Sequence, residues 1–113
     1  LFESDTTPLV THTYAEPGFT ESTAYDEATR VAYVDATATA KVMTNTASKS
    51  TFTINATKTI YGAFLCGGGT GAATKSDTAG GGTLFASSKF ATAKEVVDND
   101  VLMVVCSITL ADA

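Results

Sequence analysis

The side chains that could do chemistry are few and scattered. His12 is the chain's one histidine, and no Ser/Cys–His–acid relay can be built around it. It sits in an acidic, irregular stretch and reads as a surface or packing residue rather than a general base. Cys66 and Cys106 lie far apart in the chain. Neither belongs to a C-x-x-C pair and no histidines cluster about them, so zinc ligation is not expected. Each falls in an apolar strand pattern, where a thiol packs as a small hydrophobe. Buried free thiols, a cross-strand disulfide and a redox pair are the three readings, in that order. Gly69-Thr70-Gly71-Ala72-Ala73-Thr74-Lys75-Ser76 comes close to a phosphate loop, but Thr74 stands where the second glycine must be. No helix follows to lend its N-terminal dipole, so nucleotide binding is not expected. Asp98-Asn99-Asp100 lacks the alternating ligands and distal Glu of a calcium loop and reads as a turn. Asp26 and Glu27 are neighbours on extended chain and point apart, so they form no acid/base pair. Asn55-Ala56-Thr57 matches a glycosylation sequon, a short pattern that carries little weight beside a strand. No catalytic residue, cofactor or metal site is predicted, and the chain is not expected to be an enzyme.

The elements that would position these groups are strands. Ser50 to Ile54 alternates, with Phe52 and Ile54 on one face. Residues 59–66 follow, with Ile60, Phe64 and Cys66 on one side and Tyr61, Ala63 and Leu65 on the other. Apolar groups on both faces mark an interior strand, and Gly62 in its middle marks a bulge or a close approach. The run 67–82 holds seven of the nine glycines. Loops of that length are usually functional or disordered, so it is expected to be a mobile hairpin tip or a partner contact. Strands resume at 83–86 and 90–97. Residues 101–110 read as the best strand, with Leu102, Val104, Cys106, Ile108 and Leu110 on one face. The other face starts apolar (Val101, Met103, Val105), so this strand is expected to begin in the interior and leave it. Residues 31–43 read as a strand or two. Short strands at this spacing predict an all-β protein, a small antiparallel β-sandwich or jelly-roll-like barrel. In front of it, residues 1–30 are irregular, with Pro8 and Pro17-Gly18 as breaks and one short strand permitted at 10–14. They predict an extended N-terminal arm anchored by Tyr14, Phe19 and Tyr25 and ordered only against an assembly. The predicted division is therefore an arm, 1–30, and a single β domain, 31–113.

Charge and composition narrow the partners. Residues 1–35 carry seven acids against Arg30 alone, whereas the remainder has six Lys against five acids. An acidic arm on a neutral body excludes a nucleic-acid binder, which needs clustered Lys and Arg. It is read as a solvated surface or as an arm that docks on a basic partner. No apolar run approaches the roughly 18 residues of a membrane span, and no signal peptide is visible. Only 17% of residues are charged, below the roughly 25–35% of a freely soluble surface. Threonine carries the polar role, with 21 residues; its branched side chain suits a pleated, half-buried surface. Such an exterior fits a protein largely covered by partners.

Three segments carry a resemblance. They are Phe52-Thr53-Ile54-Asn55-Ala56-Thr57-Lys58-Thr59-Ile60-Tyr61-Gly62-Ala63-Phe64-Leu65, then Gly82-Thr83-Leu84-Phe85-Ala86 with Phe90, then Val96-Val97-Asp98-Asn99-Asp100-Val101-Leu102. With Thr11-His12-Thr13-Tyr14-Ala15-Glu16 and Arg30 before Ala32-Tyr33, they resemble a family of small virion proteins of tailed bacteriophages, encoded among head genes. The resemblance implies a viral structural protein on the capsid surface, a decoration or cement protein. Its implied partners are the major capsid protein and copies of itself, as a homo-oligomer with a trimer among the options. It transfers no catalytic residue. Another virion β-module (tail, fibre or host-binding domain) and an extracellular filament subunit are the alternatives. The absence of aromatics from 67–82 favours packing over ligand capture.

Overall fold

A computed structural model describes residues 1–111; the last two residues of the predicted 31–113 domain lie outside them. The described residues contain six strands and no helix: β1 (Val42–Thr44), β2 (Ser50–Thr53), β3 (Lys58–Gly67), β4 (Thr83–Val96), β5 (Val101–Val104) and β6 (Ser107–Thr109). The all-β class follows. The strands pair as three two-stranded antiparallel sheets, β1–β6, β2–β5 and β3–β4. These pairings are concentric, so the chain from 42 to 109 is one long ribbon folded back at the glycine-rich loop. Neither a jelly-roll strand order nor a closed barrel occurs among the described residues.

Two interruptions divide the ribbon. Thr53 pairs with Val101 and Lys58 with Val96, leaving residues 54–57 opposite 97–100. Contact persists across this gap: Ile54 N–H donates to Asp100 O (2.8 Å) and Asn99 N–H to Ile54 O (2.8 Å). The expected turn at 98–100 is present, with Asn99 at φ 71°, a conformation that Asn tolerates better than most residues. The second interruption explains why 101–110 is not one strand. Asn45 is buried beside it. Its Oδ1 accepts from Cys106 N–H (2.8 Å), and its Nδ2 donates to Val104 O (3.1 Å) and Ser50 Oγ (3.2 Å). A side chain thus replaces ladder bonds at the break, and β5 and β6 pair with different strands.

The even-numbered face of this segment points inward as expected up to Ile108, but Leu110 is exposed. The other face is a correction. Val101, Met103 and Val105 are 55%, 58% and 45% exposed, so the apolar start of that face lies on the surface. Residues 83–96, read as two segments, form the single strand β4. Residues 10–14 form no strand. The stretch 31–43 becomes regular only at Val42, because Ala38 and Ala40 offer little to bury. Residues 34–41 are all exposed and end in a tight turn with Ala40 at φ 50° and Lys41 at φ 65°.

A two-stranded ribbon is marginal in water unless something covers its apolar face. Here residues 1–33 cover it. Leu1, Phe2, Tyr14, Ala24 and Tyr25 are buried, alongside Phe52, Ile54, Ile60 and Val96 of the ribbon. Each large side chain removed from water contributes about 1.5–3 kcal/mol, so the N-terminal segment supplies much of the core. It also pairs with the free edge of β2 and β3. Tyr25 bridges Ile54, and Phe2 bridges Gly62 through Phe2 N–H to Gly62 O (3.0 Å) and Tyr61 N–H to Phe2 O (3.0 Å). The segment lies on the chain's own β domain.

Gly62 shows why its position admits no side chain. The register of β3–β4 slips there, and an added Cβ would lie 2.2 Å from Ser88 O and 2.3 Å from Phe2 Cζ. The first neighbour is backbone and the second a fully buried ring, so neither can move aside. Gly62→Ala is expected to lower unfolding stability by roughly 2 kcal/mol, the usual range for overpacking. Gly67→Ala, with open space around it, should change stability by less than about 0.5 kcal/mol. Urea denaturation of the two variants checks the contrast.

Candidate functional site

The densest polar cluster joins the N-terminal segment to the glycine-rich loop, and Arg30 is its centre. Its Nε–H donates to Glu21 Oε1 (2.8 Å) and its Nη2 to Glu21 Oε2 (2.6 Å), a two-pronged ion pair. Nη2 also donates to Asp77 O (2.9 Å), and Nη1 donates to Ala72 O (3.2 Å) and Tyr14 OH (3.0 Å) and contacts Cys66 Sγ (3.6 Å). The Arg30 backbone N–H adds a bond to Ala73 O (2.8 Å). All three guanidinium nitrogens are engaged, and the group lies over the rings of Tyr14 and Phe64. A planar fork suits this work, whereas a lysine could not reach so many acceptors at once. The Glu21 carboxylate holds the guanidinium above its ordinary pKa.

The loop is built to receive this cluster. Glu21 Oε2 accepts from Ser76 N–H (2.9 Å), and Asp77 Oδ2 accepts from Tyr14 OH (2.6 Å) and Gly80 N–H (3.0 Å). Tyr14 holds the Asp77 carboxyl below the usual range. The loop closes on itself where Thr70 N–H meets Gly80 O (2.8 Å). Gly69 makes that possible: it sits at φ 65°, and a Cβ there would lie 2.2 Å from Gly80 O. The stretch expected to be a mobile hairpin tip or a partner contact is thus hydrogen-bonded to the N-terminal segment and to itself.

The three predicted anchors all sit in this region or beside it. Tyr14 is buried, with the hydrogen bonds just described. Phe19 stacks on Phe2 (4.8 Å) and tilts against Phe64 (4.8 Å). Tyr25 meets Phe52 edge-on (5.0 Å), while Lys75 lies over its ring (3.8 Å) and donates to its carbonyl (2.6 Å). What they anchor to in this structure is the chain's own ribbon and loop. Sequence reasoning noticed Arg30 as the lone cation of an acidic stretch and as part of the resemblance, and gave it no structural role. That isolation was the available signal, because a single cation among seven acids must neutralise something.

The other candidates stay apart from one another. His12 Nδ1 accepts from Leu9 N–H (3.3 Å) and its ring lies against Gly18. Cys66 and Cys106 are free and half-buried, and burial pushes the Cys66 thiol up, away from the reactive thiolate. Asp100 Oδ2 accepts from Val97 N–H (2.9 Å), which closes its turn. Among the described residues no group of three or more His, Cys, Asp or Glu could hold a metal, and no buried side-chain polar atom lacks a partner. Two apolar surfaces are open to the exterior. One is the outer face of β5, with Val101, Met103 and Val105. The other is an apolar trough of about 730 Å³ lined by Leu1, Tyr33, Met43, Leu65, Phe85 and Ile108.

Arg30→Met leaves Glu21, whose side chain is only 10% exposed, without its cation. Breaking such a pair costs roughly 3 kcal/mol, and Arg30→Lys should recover only part of it; chemical denaturation checks both. Burial pushes the Tyr25 phenol up to about 12. The stability linked to it is whole below the ordinary tyrosine value of about 10 and is lost as pH rises through 12. The thermal midpoint should hold until about pH 10 and then fall, with a shallower fall in Tyr25→Phe. Asp77 acts at the other end: its depressed pKa stabilises above the ordinary Asp value near 4, and that is lost on further acidification. Asp77→Asn should flatten the acid limb. No known protein family, curated protein or solved structure matches the chain.

Proposed function

We propose that this chain is a viral structural protein, a decoration or cement protein that binds the major capsid protein of a phage head and stabilises the shell. It works by contact, without catalysis, and copies of it associate on the capsid surface. The observation that carries this reading is the exposed apolar row Val101, Met103 and Val105 on β5, with Phe85 (63%) and Leu110 (70%) also open. Apolar exposure that is grouped rather than scattered marks an interaction surface. The low charge of the exterior points the same way, since charged residues are depleted from interface centres. The likeness of residues 52–65, 82–90 and 96–102 to small phage virion proteins supplies the context. An exposed apolar row of this kind is suited to packing against a capsid subunit.

Purified virions of the source phage should contain the chain in many copies, visible on the head by electron microscopy. Density on the tail or fibres alone overturns the reading in favour of another virion module. Met103→Glu should weaken binding to heads that lack the protein by about thirtyfold, an interface anchor being worth roughly 2 kcal/mol. Its stability should shift by less than about 0.5 kcal/mol, as surface substitutions do.

A further inference from the structure

We propose that the chain docks a second copy of itself by exchanging residues 1–33, with residues 34–41 as the hinge. The segment and the ribbon meet as two surfaces joined by one covalent link. On the segment side, Phe2 and Tyr25 bridge the ribbon edge, Arg30 clamps the loop, Ala32 O accepts from Ser50 Oγ (3.2 Å) and Tyr33 OH donates to Cys106 O (3.0 Å). After Tyr33 this close packing stops. Every residue from 34 to 41 is exposed. The backbone hydrogen bonds of this stretch among the described residues include Ala36 N–H to Thr44 O, the reciprocal pair between Thr39 and Val42, and Leu110 N–H to Lys41 O.

The hinge is also strained. Its turn places Ala40 at φ 50° and Lys41 at φ 65° in succession. Two successive positive φ values are the signature of a turn built on Asn and Gly, and residues with ordinary side chains pay for adopting it. Straightening the hinge removes that strain. Eight residues at about 3.3 Å each span roughly 26 Å, equal to the 26 Å thickness of the molecule. Segment 1–33 can therefore reach the same site on a neighbour and remake every contact it makes at home. An exchanged element needs no new interface, which makes exchange a low-cost route to association, and a short strained hinge favours it.

Charge aids the encounter between copies. The acidic segment meets lysines of the ribbon, Glu3 with Lys58 and Asp5 with Lys89. These pairs are as complementary between chains as within one. The proposal holds whether or not the chain sits on a virion, so its test uses the isolated protein.

Heavy-isotope and ordinary chains are mixed unfolded, refolded together at high concentration and treated with carbodiimide, which joins the Asp5 carboxylate to the Lys89 amine with loss of water. Mass spectrometry of the linked peptides separates the outcomes. Exchange makes pairs of mixed label as abundant as pairs of one label in the associated fraction. Pairs of one label alone overturn the proposal. The double substitution Ala40→Asn with Lys41→Gly relaxes the turn without touching the exchanged contacts. It should lower the associated fraction severalfold by light scattering, and an unchanged fraction overturns the hinge assignment.

Discussion

The structure depends on burying the apolar face of a paired ribbon whose strands each have a single regular partner. Part of that burial is internal, since Phe52, Leu102 and Val104 of β2–β5 share one core with Ile60, Ala63, Phe90 and Val96 of β3–β4. The rest comes from irregular chain, and residues 1–33 provide it with Leu1, Phe2 and Tyr25 as the deepest contributions. Irregular chain is costly to order, at about 1–2 kcal/mol of backbone entropy per residue. It therefore needs fixed points as well as apolar contact.

Arg30 is the principal fixed point. A guanidinium with little solvent access would be a liability if any of its donors were left over. Here Glu21 takes the charge, and the loop carbonyls of Ala72 and Asp77 take the remaining donors. The same cluster orders the glycine-rich loop, so two segments that would each be mobile alone hold one another. The glycines contribute by letting the loop backbone close tightly around Asp77, which then receives the Tyr14 hydroxyl. The result is a densely hydrogen-bonded end to the ribbon, opposite the short β1–β6 end.

The proposed role uses what this arrangement leaves over. Inward packing consumes the even-numbered residues of β5 and leaves Val101, Met103 and Val105 facing outward. Among the described residues none buries them. The buried side chains of segment 1–33, Leu1, Phe2, Tyr14 and Tyr25, are used within its own fold, so a partner that engages them must either displace the segment or receive it by exchange. Contact with a capsid and contact between copies thus fall on different parts of the molecule.

The alternation of Thr with apolar residues was enough to determine the all-β class, the positions of β2 and β3, the turn at 98–100 and the special status of Gly62. These are local properties: side-chain period, β-branching and the conformational range of Asn and Gly. The aromatics Tyr14, Phe19 and Tyr25 were legible as anchors because large rings in a polar stretch must find cover. What they would cover was not legible, because contact between residues 63 positions apart, as for Tyr14 and Asp77, leaves no periodic trace. Tertiary structure alone decided that 101–110 breaks in two, since the cause is one buried Asn45 reaching across the ribbon. It alone placed the glycine loop against the N-terminal segment, because the loop carbonyls of Ala72 and Asp77 accept from a distant guanidinium. It also decided which face of β5 meets water: an alternating strand with apolar residues on both sides has two faces to bury, and a ribbon with one cover can bury only one.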